Sequence, residues 1–468
     1  MTEDLTKKYD IVWNNYTEKD HEALEDLSKR YISFMSDNKT ERECISTFVE
    51  TAETNGFKNL NKIIKSGDSL KPGDKIYAVD KNKILALFVI GQEPLENGLK
   101  ILGAHVDSPR IDLKQNPLYE DGVSNFAMFD THYYGGIKKY QWVNIPMAIH
   151  GVVAKKDGSL VNIVIGEDDN DPVIGISDLL VHLAKDQLQK TLAKGIEGED
   201  LNVLIGSIPL KDSEGENKVK LNILKILNEK YGITEEDFTS AELEVVPAGK
   251  AREYGIDRSM IMAYGHDDRV CAFTSFEAIL NIVIPDKTCV ALFVDKEEIG
   301  SVGASSMQSK FFENAVAELI NCSGRFCAIS LRRTLANSKM LSSDVSVAYD
   351  PNFPSVTEKN NTSFFGKGIV FNKYTGSSGK YASNDANPEF IAEIRSIMEK
   401  HSVAWQTGEL GKVDQGGGGT IAYILAAYGM EVLDCGVPVL NMHAPWEICS
   451  KADIYETEKG YEAFLKEA

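Results

Sequence analysis

The stretch LKILGAHVDSP, residues 99–109, decides the fold, because an apolar strand runs there directly into polar side chains. A similar apolar run, ILALFVI, occupies residues 84–90, and another, CVALFV, occupies residues 289–294. Continuous apolar runs of this length are typical of strands buried on both faces of a sheet, and above all of parallel strands in α/β proteins. These runs predict the centre of a sheet that helices cover on both sides.

Helical patterns accompany these strands. Leu24, Leu27, Tyr31 and Phe34 recur at helical spacing, and Thr40 with Glu43 three residues later forms a capping box for a second helix. Further helices are predicted at residues 387–400, 417–428 and 452–466. We therefore expect an α/β protein with a split α/β domain, residues 1–110 and 255–468, built on a central mixed sheet flanked by helices.

The section between these two parts has a different character. Short β-rich runs alternate with polar stretches from residue 111 to residue 254, with one predicted helix at residues 217–231. We interpret residues 111–254 as an inserted, mainly-β domain.

Composition limits the classes of function. The chain has 468 residues, with 50 Lys and Arg against 70 Asp and Glu, so its formal net charge of −20 repels nucleic acid. Seven cysteines without a C-x-x-C pair indicate reduced thiols, and neither a signal peptide nor an apolar run near the ~20 residues of a membrane span is visible. We expect a cytoplasmic protein with no nucleic-acid partner and no membrane partner.

Five short segments present acidic and histidine side chains at predicted strand ends or in the loops that follow. Carboxyl ends of strands line the ligand crevice of open α/β sheets, and carboxylate and imidazole groups bind divalent metals. Each segment alone also has a structural explanation, such as a solvated edge or a surface turn. The set of five is harder to explain in this way, and the residues alone leave two interpretations open, a site for two metal ions and a purely structural role. The segments are GAHVDSP (103–109), GHDDR (265–269), DKEEIG (295–300), SSD (342–344) and NMH (441–443).

In order and spacing these segments resemble the aspartyl aminopeptidase and vacuolar aminopeptidase I family of di-zinc peptidases. The resemblance extends to Tyr134-Gly-Gly136, to residues 380–384 and to residues 418–421, and thus covers most of the chain. It implies one metal held by His105, Asp267 and Asp344, and a second held by Asp267, Glu298 and His443. It further implies that Asp107 orients His105 and that Glu297 is the general base.

The same resemblance implies a zinc-dependent metalloaminopeptidase that removes single N-terminal residues from peptide substrates. Two divalent ions per subunit are expected, most simply Zn, although oxygen-rich sites also accept Co or Mn. A large homo-oligomer, a dodecamer, is implied as well, with the inserted domain making the subunit contacts. Two alternatives use the same residues: a di-zinc deacylase or carboxypeptidase, and a catalytically silent assembly protein.

Specificity for acidic N-terminal residues is left open. Many relatives carry histidines where this chain has Val347, Asp350 and Tyr140. Lys373 or Lys380 can supply a positive charge for a substrate carboxylate, and we expect them to be substrate-binding residues.

Overall fold

The computed structural model describes residues 5, 10–211 and 213–468, and contacts divide the chain into two compact units. The first unit comprises Met1–Asp107, Ala251–Met442 and Glu447–Ala468, and the second comprises Ser108–Lys250 and His443–Trp446. Among the residues that the structure describes, no helix is both long enough and apolar enough to cross a membrane.

The helices and strands have the following bounds. The α-helices are α1 (Glu18–Asp37), α2 (Glu41–Thr54), α3 (Leu60–Ser66), α4 (Leu192–Gly195), α5 (Lys218–Tyr231), α6 (His266–Leu280), α7 (Phe311–Cys322), α8 (Ala328–Ala336), α9 (Pro388–Lys400), α10 (Ala422–Ala426) and α11 (Lys451–Glu467). The strands are β1 (Lys58–Asn59), β2 (Lys75–Asp80), β3 (Ile84–Val89), β4 (Lys100–His105), β5 (Arg110–Asp121), β6 (Phe126–Tyr134), β7 (Met147–Ala154), β8 (Leu160–Ile165), β9 (Val203–Gly206), β10 (Ala241–Pro247), β11 (Arg252–Tyr254), β12 (Met260–Ala263), β13 (Cys289–Val294), β14 (Lys339–Ser343), β15 (Ser346–Val347), β16 (Ile369–Asn372), β17 (Gly376–Ser377), β18 (Trp405–Thr407), β19 (Gly417–Gly418), β20 (Glu431–Gly436), β21 (Pro438–Leu440) and β22 (Glu447–Ser450).

A nine-stranded mixed sheet forms the centre of the first unit, in the order β1-β2-β3-β13-β4-β14-β20-β16-β18. Its four middle strands, β13, β4, β14 and β20, run parallel to one another. The neighbouring strands β3 and β16 are antiparallel to them. The sequence therefore predicted the fold class correctly.

Two apolar layers lie on the two faces of this sheet. Successive residues of a strand point to opposite faces, so Leu85 and Leu87 join one layer while Ala86 and Phe88 join the other. Residues of α1, α2, α6, α9 and α11 pack into the first layer, and residues of α3, α7 and α10 pack into the second. Helices therefore cover both faces of the sheet, which explains why β3 and β13 contain only apolar residues and why the middle of β4 is apolar.

Local sequence patterns account for the first two helices. Thr17 caps α1 and Thr40 caps α2, each in a capping box completed by the residue three positions later. The predicted apolar face of α1, from Leu24 to Phe34, is buried.

Two expectations were wrong. Strand β3 is antiparallel to both of its neighbours, whereas its apolar run predicted a parallel strand. Burial on both faces gives the same sequence pattern for either direction. The helix predicted at residues 417–428 is also shorter, because Gly417–Gly418 forms β19, which pairs with β17, and helix α10 covers only Ala422–Ala426.

A six-stranded antiparallel sheet forms the second unit, in the order β8-β7-β10-β5-β6-β9. Phe129 on β6 packs against Phe238. Val219 and Lys220, at the start of α5, donate their backbone N–H groups to the carboxylate of Glu120 on β5.

Candidate active site

The site of the first unit lies where the adjacent parallel strands β13, β4 and β14 end. His105 is the last residue of β4 and pairs with Val294, the last residue of β13. Asp344 follows the end of β14 directly and donates its backbone N–H to Cys435 on β20. Strand ends in register thus place these side chains at one edge of the sheet.

Asp267 reaches the same place from the start of α6. The residue has a non-helical backbone conformation, as does Asp268. Its backbone N–H donates to Oε2 of Glu447 at 3.0 Å, and its Oδ1 lies 3.4 Å from Nε2 of His105. His105, Asp267 and Asp344 each offer one ligand atom, and the three atoms lie within 4.8 Å of one another.

The two glutamates predicted at the end of β13 belong to this site as well. Glu297 and Glu298 start a short 3₁₀ turn, Glu297–Ile299, so both side chains can point to the same side, which two neighbours on a regular strand do not. Oε2 of Glu297 lies 4.0 Å from Nε2 of His105. Ligand atoms of His105, Glu297 and Glu298 form a second group within 4.8 Å.

Asp107 connects His105 with the two glutamates. Its Oδ1 accepts the backbone N–H of Glu297 at 3.1 Å, and its Oδ2 accepts that of Glu298 at 3.2 Å. Nδ1 of His105 lies 2.9 Å from the backbone oxygen of Asp107 and 3.3 Å from Oδ1. The carboxylate is almost completely buried, so these contacts fix it in place.

The donor set at this edge fits divalent metal ions. An imidazole and several carboxylates converge in a buried space, and these are the ligands that Zn²⁺ and related borderline cations take. Burial, together with the neighbouring carboxylates of Asp268 and Asp267, raises the pKa of Asp344 well above its usual range. Grouping so many acidic side chains is costly unless a cation compensates their charge.

The pKa of His105 reflects the same crowding. Burial lowers it, but hydrogen bonds with Asp107 and Asp267 and the charges of nearby carboxylates raise it well above the usual value overall. Carboxylates that surround an imidazole favour positive charge at this point.

His443 is grouped with the second unit. Its Nδ1 lies 2.7 Å from the backbone oxygen of Gly136, in the Tyr-Gly-Gly segment of that unit. A carbonyl oxygen can only accept, so Nδ1 carries the proton and Nε2 carries the lone pair with which an imidazole binds a metal.

Lys373 and Lys380, the predicted substrate-binding residues, share one partner. Their Nζ atoms lie 3.2 Å and 3.1 Å from the two carboxylate oxygens of Asp385. Nζ of Lys380 also lies 3.8 Å from the centre of the Tyr374 ring. The two lysines and Asp385 together keep one net positive charge on this loop.

From the sequence, Asp268 is interpreted as a residue that holds the Asp267 turn or binds a neighbour rather than as a ligand, and Glu447 and Ser305 are given no role. Oδ2 of Asp268 accepts the backbone N–H of His105 at 3.3 Å, and Glu447 holds the backbone of Asp267. Ser305 donates a hydrogen bond to Asp295, at the base of the loop that carries Glu297. No motif marks these contacts, because they join positions 10 to 180 residues apart through common residue types.

His266, next to Asp267 in the sequence, has a structural role. It lies between the hydroxyl of Tyr31, 2.5 Å from Nδ1, and the backbone oxygen of Ile261, 3.1 Å from Nε2. Complete burial lowers the pKa of His266 to about 3, so the ring is neutral at pH 7.

Comparison with known proteins identifies the family. The sequence profile of the aminopeptidase I zinc metalloprotease (M18) family matches residues 34–465. The probable M18 family aminopeptidase 1 of Clostridium acetobutylicum is 64% identical over 465 residues, which are 99% of this chain and 100% of the relative.

Solved structures agree with this match. The crystal structure of aminopeptidase I from Clostridium acetobutylicum has a TM-score of 0.92 at 61% identity, covering 98% of this chain and 100% of the other. The mApe1 dodecamer of Saccharomyces cerevisiae shares the fold at 22% identity, with a TM-score of 0.76 and coverage of 94% and 97%. The chain belongs to the M18 family of zinc metalloproteases and is an aminopeptidase, a hydrolase of peptide bonds.

Proposed function

We propose that this aminopeptidase cleaves the first peptide bond of its substrates at the edge of β4, with Glu297 as general base and two divalent metal ions, most simply Zn. The observation that carries the proposal is the convergence of His105, Asp267, Asp344, Glu297 and Glu298 at one edge of the sheet. His105, Asp267 and Asp344 would hold one ion, and Asp267, Glu298 and His443 the other. When bound, the ions would lower the pKa of a water molecule and polarise the scissile carbonyl.

Glu297 transfers the protons in this reaction. The Glu297 carboxylate accepts a proton from the attacking water and then donates it to the nitrogen of the leaving amine. Asp107 holds the backbone of Glu297 and the ring of His105 in fixed positions, so the base does not have to be ordered during the reaction. The acidic side chains attract the free α-amino group of the peptide, which restricts cleavage to the N-terminal residue.

Lys373 and Lys380 are proposed to face a carboxylate of the substrate. The net positive charge of their cluster with Asp385 supports this. In a chain of net charge −20, an acidic substrate needs such a local positive charge to bind. The double variant Lys373→Ala/Lys380→Ala should raise KM for peptides with an acidic first residue more than for peptides with a neutral one. Equal effects on both peptide classes would remove the two lysines from substrate binding.

The oligomer is the second part of the proposal. We infer that the second unit makes contacts between copies of the chain, up to a dodecamer. The segment of residues 176–192 supports this. It buries Ile176 and Ala184 but leaves six large apolar side chains 47–69% exposed. Such concentrated apolar exposure is typical of an interaction surface. The exposed side chains are Leu179, Leu180, Val181, Leu183, Leu188 and Leu192.

Light scattering tests the oligomer directly. The wild-type chain should have a mass near that of twelve chains. The double variant Leu183→Asp/Leu188→Asp should dissociate, whereas Val283→Asp, equally exposed on the first unit, should not. A monomeric wild-type protein would refute this part.

A cytoplasmic location belongs to the same proposal, supported by seven cysteines that are all free thiols in the described structure.

Hydrolysis of a peptide panel tests the chemistry. Peptides that differ only at the first residue are offered free and N-acetylated, before and after removal of metal and re-addition of zinc. We expect metal-dependent release of single residues from the free peptides alone. Cleavage of the acetylated set would favour deacylase chemistry, and hydrolysis that survives chelation would contradict the proposed metal site.

A further inference from the structure

The loop that carries Glu297 and Glu298 is closed at its base by two residues. The backbone N–H of Asp295 donates to the backbone oxygen of Ser305 at 3.1 Å. The hydroxyl of Ser305 donates in turn to Oδ2 of Asp295 at 2.6 Å. Both residues are 1–2% exposed, so water does not compete for these bonds. Two hydrogen bonds between the same pair therefore join the two ends of a compact loop, residues 295–305.

The backbone of this loop needs such a closure. Lys296 and Ser301 have φ angles of 70° and 56°, in the left-handed region that side-chain-bearing residues rarely adopt. At Gly303, φ is 132°, and a Cβ there would lie 2.9 Å from Cδ of Lys296, whose stem packs across the loop. Strained conformations of this kind persist only where surrounding contacts hold them.

A second anchor holds the loop at the two glutamates themselves. Asp107 accepts the backbone N–H groups of Glu297 and Glu298, as described above. The loop is thus fixed at two places, at Glu297 and Glu298 by Asp107 and at its base by the pair Asp295–Ser305. Asp107 also contacts His105, whereas in the described part of the chain the side-chain hydrogen bond and the ion pair of the basal pair join Asp295 only with Ser305 and Lys296.

We propose that Asp295 and Ser305 are positioning residues for the reaction: by closing the loop at its base, they keep the carboxylate of Glu297 within reach of the water it deprotonates. The inference rests on the proposed role of Glu297 as general base. A displacement of a catalytic group by about 1 Å can reduce the rate by about 100-fold. Loss of the closing bond should therefore act on kcat rather than on substrate affinity.

Three substitutions test the pair. Ser305→Ala removes the hydroxyl without adding volume. Asp295→Asn keeps an oxygen that can accept the hydrogen bond of Ser305, whereas Asp295→Ala does not. The matched control is Ser338→Ala, because Ser338 is equally buried and its hydroxyl donates a 2.6 Å hydrogen bond near the start of β4, away from the site.

Two readouts are needed. In the zinc-loaded protein, kcat of Ser305→Ala should fall about 10- to 100-fold with KM within about threefold of wild type. Asp295→Asn should retain more activity than Asp295→Ala. In the metal-free protein, hydrogen exchange of residues 295–305 should become faster in Ser305→Ala but stay at the wild-type rate in Ser338→Ala.

The outcomes separate this inference from the proposed function. A Ser305→Ala variant that loses no more kcat than Ser338→Ala, or whose loop exchanges at the wild-type rate, overturns the positioning role. An Asp295→Asn variant no more active than Asp295→Ala also counts against it. Wild-type protein that hydrolyses no peptide refutes the proposed function, and the exchange measurement still shows whether the pair holds the loop.

Discussion

Asp107 contacts the imidazole of His105 through both its backbone oxygen, 2.9 Å from Nδ1, and its Oδ1, 3.3 Å from the same nitrogen. Both oxygens are acceptors, so Nδ1 carries a proton and Nε2 faces Oδ1 of Asp267 at 3.4 Å. The lone pair of a neutral imidazole and a carboxylate oxygen repel each other, so Nε2 attracts either a proton, which agrees with the raised pKa of His105, or a metal ion. Asp107 therefore selects the tautomer that a metal site needs.

Asp107→Asn should weaken metal binding. An amide can accept only through its oxygen, so its NH₂ group would face one of the donors that the carboxylate now satisfies. Loss of such an orienting group typically costs 10- to 100-fold in metal affinity. Titration with zinc against a competing chelator measures this, and Asp112→Asn, a half-exposed aspartate of the second unit, is the control. Wild-type affinity in Asp107→Asn would show that the carboxylate does not orient the ligand.

Glu297→Gln should abolish most of the activity while leaving the bound metal in place. The substitution keeps the size of the side chain but removes its ability to accept a proton, and positioned acid–base groups typically contribute about 100- to 10,000-fold to the rate. The measurement combines kcat on a free peptide with metal content by elemental analysis. A loss of activity that parallels a loss of metal would make Glu297 a ligand rather than the base.

Sequence patterns were sufficient wherever the determining contacts are local. Thr40 and Glu43 lie three residues apart and meet within one helical turn, and the run at residues 289–294 is buried on both faces. The direction of β3 could not be read in this way, because the partners of a buried strand leave no mark on its composition. The short β19 was missed for a related reason: consecutive glycines permit many conformations, and only its pairing with β17 fixes one of them.

The same distinction between local and distant contacts applies to the candidate site. His105 and Glu297 could be expected to converge because each lies at the end of a predicted strand, and strand ends meet at one edge of a parallel sheet. Asp267 reaches the same edge from the start of α6, after β12 of another sheet. The contacts that hold them in place, from Asp107, Glu447 and Ser305, depend on side-chain hydrogen bonds between distant positions. Such contacts carry no periodicity, and they follow only from the three-dimensional arrangement.

Gly436→Ala should disturb the site through Asp344. A Cβ at Gly436, the last residue of β20, would lie 2.0 Å from the backbone oxygen of Asp344 and 2.9 Å from Sγ of Cys271, so the end of β20 or the residues around it must move. Overpacking of this kind costs about 1–3 kcal/mol of stability. The midpoint temperature of thermal unfolding and the affinity for zinc should both decrease. Gly122→Ala, where no atom lies within 4 Å of the added Cβ, should change neither quantity. Wild-type stability and zinc affinity in Gly436→Ala would show that the residues around Gly436 make room for the methyl group without cost.

Glu458→Gln should stabilise the protein at alkaline pH. Glu458 lies on α11, and burial, followed by the charges of Glu462 and Glu277, raises its pKa to about 7. The folded state therefore binds a proton that the unfolded state, with a pKa near 4.5, has already lost. Stability contributed by this group is present below pH 4.5 and decreases as pH rises from about 4.5 to about 7.

Glutamine removes this pH-dependent loss because it stays neutral. The free energy of unfolding of Glu458→Gln should exceed that of wild type by about 1–3 kcal/mol at pH 8, and the difference should be smaller at pH 5. Urea unfolding at both pH values measures it, with Glu399→Gln on the exposed side of α9 as the control for loss of one negative charge. Above its pKa, Glu458 adds a third negative charge beside Glu462 and Glu277, whereas at pH 5 a neutral glutamate and a glutamine differ little in charge. A gain in the free energy of unfolding that is equal at pH 5 and pH 8 would therefore assign the effect to the amide itself.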